Sequence, residues 1–173
     1  MVFSHNSPYV DKLREPSRLF SFFDRAIETE VNLTIIQQWA EGGHGGTDIG
    51  FGASVYDCSF LLSYYVNQHP ELVKGKKVVE LGCGPGLASL VAGLSGASKV
   101  IATDGDPISV ALTQKNIETN QLGCDISAMK LYWSNKGILF HIFHTITVDV
   151  PSLSFTHTHN IYTHSHIHKH FHT

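Results

Sequence analysis

The sequence predicts an α/β domain built on a parallel sheet with right-handed crossovers. Two observations carry that expectation. Between residues 76 and 134, short apolar runs alternate with longer helix-forming segments, in the order strand, helix, strand, helix, strand. The first two strand runs, Val78, Val79 and Leu81 and then Val100, Ile101 and Ala102, are nearly continuous in apolar residues. Strands covered on both faces look like this.

The elements follow in chain order. Residues 1–50 form a mixed leader, in which Val31, Leu33, Ile35 and Ile36 give a short apolar alternation that predicts a strand. "EGGHGGTDIGFGAS" has six glycines in fourteen positions and predicts a loop. "YDCSFLLSYYV" predicts an amphipathic or largely buried helix ending near His69-Pro70. A core over residues 51–135 then contains the strand "KKVVELGCG", the helix "GLASLVAGLSGA", the strand "KVIATDGD", the helix "PISVALTQKNIETNQL" and the strand "DISAMKLYWS". Pro107 follows Asp106, a proline in the first turn after a capping acid. Residues 136–173 break with this pattern. "KGILFHIFHTITVDV" suits one more strand, and the rest is a low-complexity His/Thr tail holding most of the histidines.

Composition excludes several classes. A chain of 173 residues fits one domain with a sizeable core. A net charge of -3 with 16% charged residues offers no basic surface for nucleic acid. Cys58, Cys83 and Cys124 are odd in number and widely spaced, which suits reduced thiols. The first residues lack the apolar core of a signal peptide, and no run is long enough to cross a bilayer. The expectation is a soluble cytoplasmic monomer without a membrane or nucleic-acid partner.

"VVELGCGPGLASL" carries the chemistry. Gly82, Gly84 and Gly86 lie at alternate positions between a strand and a helix, where backbone N–H groups can face a ligand. No Lys-Ser/Thr follows, which disfavours a P-loop. The spacing also departs from GxGxxG, because Leu87 stands at the sixth position, and this disfavours a dinucleotide site. Glu80 is a poor neighbour for a pyrophosphate and a good one for a cation. Asp104 ends the next strand, where a carboxylate can accept both hydroxyls of a ribose. The loop suits a nucleoside carrying positive charge, and S-adenosylmethionine is such a ligand. The bland alternative is that the glycines only permit tight packing and the acids only cap helices. Each residue alone is compatible with that alternative, but their joint order argues against it.

"VVELGCGPGLASL", "VIATDGDP" and "LTQKNIETN" together resemble the seven-strand, Rossmann-like (class I) S-adenosylmethionine-dependent methyltransferases. "LTIIQQ", "SVYDCSFLLSYYV" and "LYWSN" bring the resemblance closer to the methyltransferase-like protein lysine methyltransferases of family 16, over residues 18–135. The resemblance implies S-adenosylmethionine as cofactor and a protein lysine as acceptor. It implies that Gly82, Cys83, Gly84 and Gly86 line the methionine side, with Glu80 beside them. Asp104 would take the ribose and Trp133 would pack near the adenine. Tyr56 stands where the family usually has a tryptophan on the cofactor, and Tyr132 where an acid is often found. Cys83 is not assigned as a nucleophile, no residue is assigned as catalytic, and no metal site is expected.

The family pattern continues with a fourth strand, an acidic "D/E-x-x-Y" segment lining the acceptor channel, and three further strands. After Asn135 the sequence lacks these, so the expected sheet is incomplete at its C-terminus. The abrupt change suggests a departure from the family at an exon-like boundary, through a gene-model error, a splice variant or a truncation. The alternate histidines of "HSHIHKHFH" share one face if extended, but nothing around them fixes a metal geometry. Two readings stand: a lysine methyltransferase, or a non-catalytic remnant that keeps the cofactor fold and binds a partner.

Overall fold

The computed structural model describes residues 12–38, 51–132 and 155–156. Two sheets are present among them. β1 (Ser17–Asp24) and β2 (Thr29–Ile36) form an antiparallel hairpin. The second sheet is wholly parallel, with order β5-β4-β3-β6 for β3 (Lys77–Leu81), β4 (Lys99–Asp104), β5 (Ile126–Lys130) and β6 (Phe155–Thr156). The helices are α1 (Asp57–Gln68), α2 (Leu87–Leu94) and α3 (Pro107–Asn120). The chain runs β3-α2-β4-α3-β5 outward from the middle of the sheet. β6 lies on the other side of β3, so strand order reverses at β3.

The three core strands and both crossover helices stand where the sequence places them. The further strand expected within "KGILFHIFHTITVDV" lies outside the described residues. A two-residue strand, Phe155–Thr156, pairs with Glu80 and Leu81 inside the His/Thr-rich segment.

Three layers result. Every residue of α2 is buried, because α2 is sandwiched between the hairpin and the sheet. A helix apolar all round has to be enclosed in this way. Its outer side meets Phe20, Phe22, Leu33 and Ile35 of the hairpin. Its inner side joins Val66 of α1 and Val78 and Val100 of the sheet. Burying this much apolar surface, at roughly 25 cal/mol per Å2, is the main force holding the layers together.

The hairpin has two exposed backbone edges to satisfy, and asparagine side chains satisfy them. On the β2 edge, Asn116 accepts from the Ile36 N–H (2.8 Å) and donates to its carbonyl (3.1 Å). One helical turn later, Asn120 does the same for Thr34, at 2.9 and 3.0 Å. The i,i+4 rise of a helix is about 6 Å and two strand residues span about 6.6 Å, so the two repeats match. On the β1 edge, Asn67 of α1 pairs with the N–H and carbonyl of Phe23. A carboxamide carries one donor group and one acceptor, like a peptide, and can act as a missing strand partner.

α1 forms where "YDCSFLLSYYV" predicts an amphipathic or largely buried helix, but its buried stripe is mostly small and polar. It buries Ser59, Ser63, Val66 and Asn67 and leaves Leu61, Tyr64 and Tyr65 more than half exposed. Small residues on the inner stripe let α1 approach α2 closely, and the Ser63 hydroxyl is satisfied by the Ser59 carbonyl at 2.7 Å.

Candidate functional site: the glycine loop at the strand-order reversal

In open parallel sheets, ligands bind beyond the C-terminal strand ends where the strand order reverses. Here that point is the end of β3, and the loop Gly82–Gly86 occupies it. Its three glycines have φ of 72°, 53° and 87°, left-handed values that disfavour a side chain. At Gly86 a Cβ would also come within 2.7 Å of the Thr113 methyl group.

The loop is tied down along its length. The N–H groups of Gly82 and Cys83 both donate to the Thr103 carbonyl, at 2.8 and 2.9 Å, and that of Gly86 donates to the Cys83 carbonyl at 2.8 Å. The Gly84 N–H donates to Asp104 Oδ2 at 3.0 Å. From α3, Thr113 donates to the Gly84 carbonyl (2.5 Å) and Asn116 to the Pro85 carbonyl (2.8 Å). This corrects the expected platform of free N–H groups. The loop amides are engaged inside the fold, so the loop offers a ligand close backbone approach rather than a phosphate cradle.

Asp104 lies at the end of β4, beside the loop. Its second oxygen, Oδ1, accepts from the Asp106 N–H at 2.9 Å. Two carboxylate oxygens offer about four acceptor sites, so two remain for the hydroxyls of a ribose. Tyr132, 54% exposed, stands against Gly105 with the Lys130 ammonium 4.5 Å from its ring centre. An aromatic face therefore adjoins Asp104.

Glu80 does not face the outside. It is 4% exposed and turned toward α2, where its carboxylate accepts a short hydrogen bond from the Ser89 hydroxyl. Burial pushes its carboxyl up to about 7; Ser89 opposes the rise and the nearby Asp104 adds to it. Cys83 is also turned inward, fully buried, with its Sγ 3.3 Å from Thr113 Oγ1. Burial, and then the proximity of Glu80, raises its thiol pKa, the opposite of what a nucleophilic thiolate needs. Glu80 can act on a ligand through its charge, and Cys83 only through its backbone.

Tyr56 is half-buried at the start of α1, where its carbonyl accepts from the Phe60 N–H at 3.1 Å. Trp133 lies outside the described residues, as do most of the glycine-rich segment and the histidine run of 164–172. Gly52 was not anticipated as a site residue. A Cβ there would collide with the Ser109 side chain of α3 and reach 3.2 Å from the Gly84 Cα. Its only signal in the sequence is its place as the last of six glycines. Thr113 stands inside "LTQKNIETN", a segment that carries the resemblance without singling it out as a site residue. Among the described residues, no group of three or more His, Cys, Asp or Glu side chains is placed to hold a metal.

A reversal point, a glycine loop without exposed donors and an acid on the neighbouring strand define a nucleoside-binding domain of the Rossmann-like kind. The chain belongs to the lysine methyltransferase family, whose model matches residues 28–150. It is 41% identical over 96 residues to a calmodulin-lysine N-methyltransferase of Arabidopsis thaliana, covering 53% of this chain and 31% of that one. It is 48% identical over 61 residues to an electron transfer flavoprotein beta subunit lysine methyltransferase of Danio rerio, covering 35% and 24%. The chain thus spans about a third or less of the length of these curated relatives. Among solved structures it is similar to a 16S rRNA N2 methyltransferase of T. thermophilus in complex with AdoMet and guanosine. That match has 27% identity and a TM-score of 0.43, over 68% of this chain and 28% of the other.

Proposed function

We propose that this chain is the cofactor-binding part of an S-adenosylmethionine-dependent protein-lysine methyltransferase. The observation that carries the reading is the pairing of Asp104, with two acceptor positions to spare, and a glycine loop whose own donors are satisfied. Such a site suits a nucleoside with a neutral or cationic 5′ substituent. Bound there, S-adenosylmethionine supplies a methyl group activated by its sulfonium. Asp104 accepts the ribose hydroxyls, Gly82–Gly86 allow the methionine portion to approach the backbone, and Tyr56 and Tyr132 offer aromatic surface. The relatives' names include calmodulin-lysine and electron transfer flavoprotein methyltransferases, which supports a protein lysine as acceptor. We place the protein in the cytoplasm as a monomer that binds neither nucleic acid nor membrane. The widely spaced cysteines, free wherever the structure describes them, support that placement.

A second reading, a cofactor-binding module without transfer activity, draws on Tyr56 and Tyr132, which depart from the family's pattern. Methyl transfer depends on orienting amine and methyl group, and orientation contributes about 7–11 kcal/mol in favourable cases. Each 1.36 kcal/mol lost is roughly a tenfold loss of rate. Tritium transfer from labelled S-adenosylmethionine into lysate protein separates the readings, using a chimera of this chain with an intact relative's C-terminal half. Incorporation by the chimera, with far less or none by the chain alone, is the expected result. A chimera that transfers nothing would count against the methyltransferase reading, and equal incorporation by both would eliminate the inactive module.

A further inference from the structure

We propose that Glu80 is a specificity-determining residue, barring phosphate-bearing nucleotides from the glycine loop by occupying the N-terminus of α2. The proposal rests on Gly82–Gly86 being a nucleoside site and adds how that site refuses the usual ligands of such turns.

A strand, a glycine turn and a helix bind phosphate with two sets of donors, the loop amides and the first-turn amides of the helix. The loop amides of Gly82, Cys83, Gly84 and Gly86 are committed internally. That leaves the helix end. Gly86, the N-cap of α2, has no side chain to cap it. Glu80 supplies the cap from β3, accepting from the hydroxyl of Ser89, the third residue of the helix, whose backbone amide also stabilises the carboxylate. The positive end of α2 is therefore already matched to an internal carboxylate.

A phosphate arriving there would sit beside that carboxylate and the one on Asp104. Among the described residues, no ion pair neutralises either acid. An adenosine with a neutral or cationic 5′ group meets no such repulsion. The titratable groups acting on Glu80 are Asp104 from β4 and the Cys83 thiol from the loop, while α2 presents only Ser89. The Glu80 carboxyl titrates at about 7, so the barrier depends on pH.

The test is competitive binding of adenosine and ADP-ribose to the intact chain and to Glu80→Gln, at about pH 6 and about pH 8, with S-adenosylhomocysteine as reference ligand. The pyrophosphate of ADP-ribose keeps its charge across this range. For the unaltered chain at the higher pH, ADP-ribose should bind about tenfold or more weakly than adenosine. Lowering the pH should narrow that ratio. Glu80→Gln should narrow it at both pH values and remove its pH dependence. A ratio that responds neither to pH nor to the substitution overturns the proposal while the nucleoside site stands. If S-adenosylhomocysteine and adenosine both fail to bind the unaltered chain, the site reading falls and the proposal with it.

Discussion

Asp104 and Glu80 are carboxylates on adjacent strands, near one loop, with different environments. Asp104 is partly exposed and holds the loop through Gly84 while keeping acceptor capacity outward. Asp104→Ala should weaken S-adenosylhomocysteine binding by a few kcal/mol, since a hydrogen bond to a charged group contributes about 1.5–3. Unchanged affinity in a fluorescence titration would remove Asp104 from the site. Glu80 makes a prediction about stability. Its carboxyl rises from 4.5 to about 7 on folding. Between those values the folded chain holds a proton that the unfolded chain has released, so raising the pH favours unfolding. Relative to Glu80→Gln, the chain should lose about 3 kcal/mol of stability as pH rises through this window, by urea denaturation. A flat difference would mean that Glu80 is not buried as described. The acids and glycines of the site were legible because their signals are local. Gly52 and Thr113 were not, because their contacts with Gly84 and Gly86 join segments about thirty residues apart.

Single elements explain how the loop is held. α3 fastens two things at once, the free edge of β2 and the glycine loop, and Asn116 serves both. Removing its carboxamide orphans the buried Pro85 carbonyl, at about 1–3 kcal/mol, and the part-buried N–H and carbonyl of Ile36, at less each because water can reach them, so Asn116→Ala should cost about 2–4 kcal/mol. Asn120→Ala should cost less, because water can reach that position. Chemical denaturation of both variants checks the ordering, and equal small losses would refute the role given to Asn116. β2 was legible from its alternation of Val31, Leu33 and Ile35. β1 was passed over, although Phe20 and Phe22 alternate with Leu19 and Ser21, because aromatic residues on both sides blur the period. The inner face of α1 is not legible in the sequence for a different reason. Periodicity assigns large apolar residues inward, whereas close packing on α2 selects Ser59 and Ser63.

At the scale of the molecule, the helices among the described residues lie on one face of the sheet. α1 and α2 pack on the face bearing Val78, Val100 and Ile126, and the handedness of the crossovers puts α3 there too. Val79, Leu81, Ile101 and Met129 point the other way by strand alternation, and no helix among the described residues covers them. The order of core strands and helices was legible because each βα unit carries its own period and caps, as with Asp106 ahead of Pro107. The position of β6 was not, since a two-residue pairing leaves no periodic trace. Among the described residues, the hydrogen bonds that hold the glycine loop come from β4, α3 and the loop itself. The central claim, that this sheet carries a working cofactor site, is open to direct measurement on the unaltered chain. Isothermal titration calorimetry with S-adenosylmethionine and S-adenosylhomocysteine is predicted to show saturable one-to-one binding of both, abolished by Gly84→Val; absence of heat with either ligand, or binding that survives Gly84→Val, would contradict it.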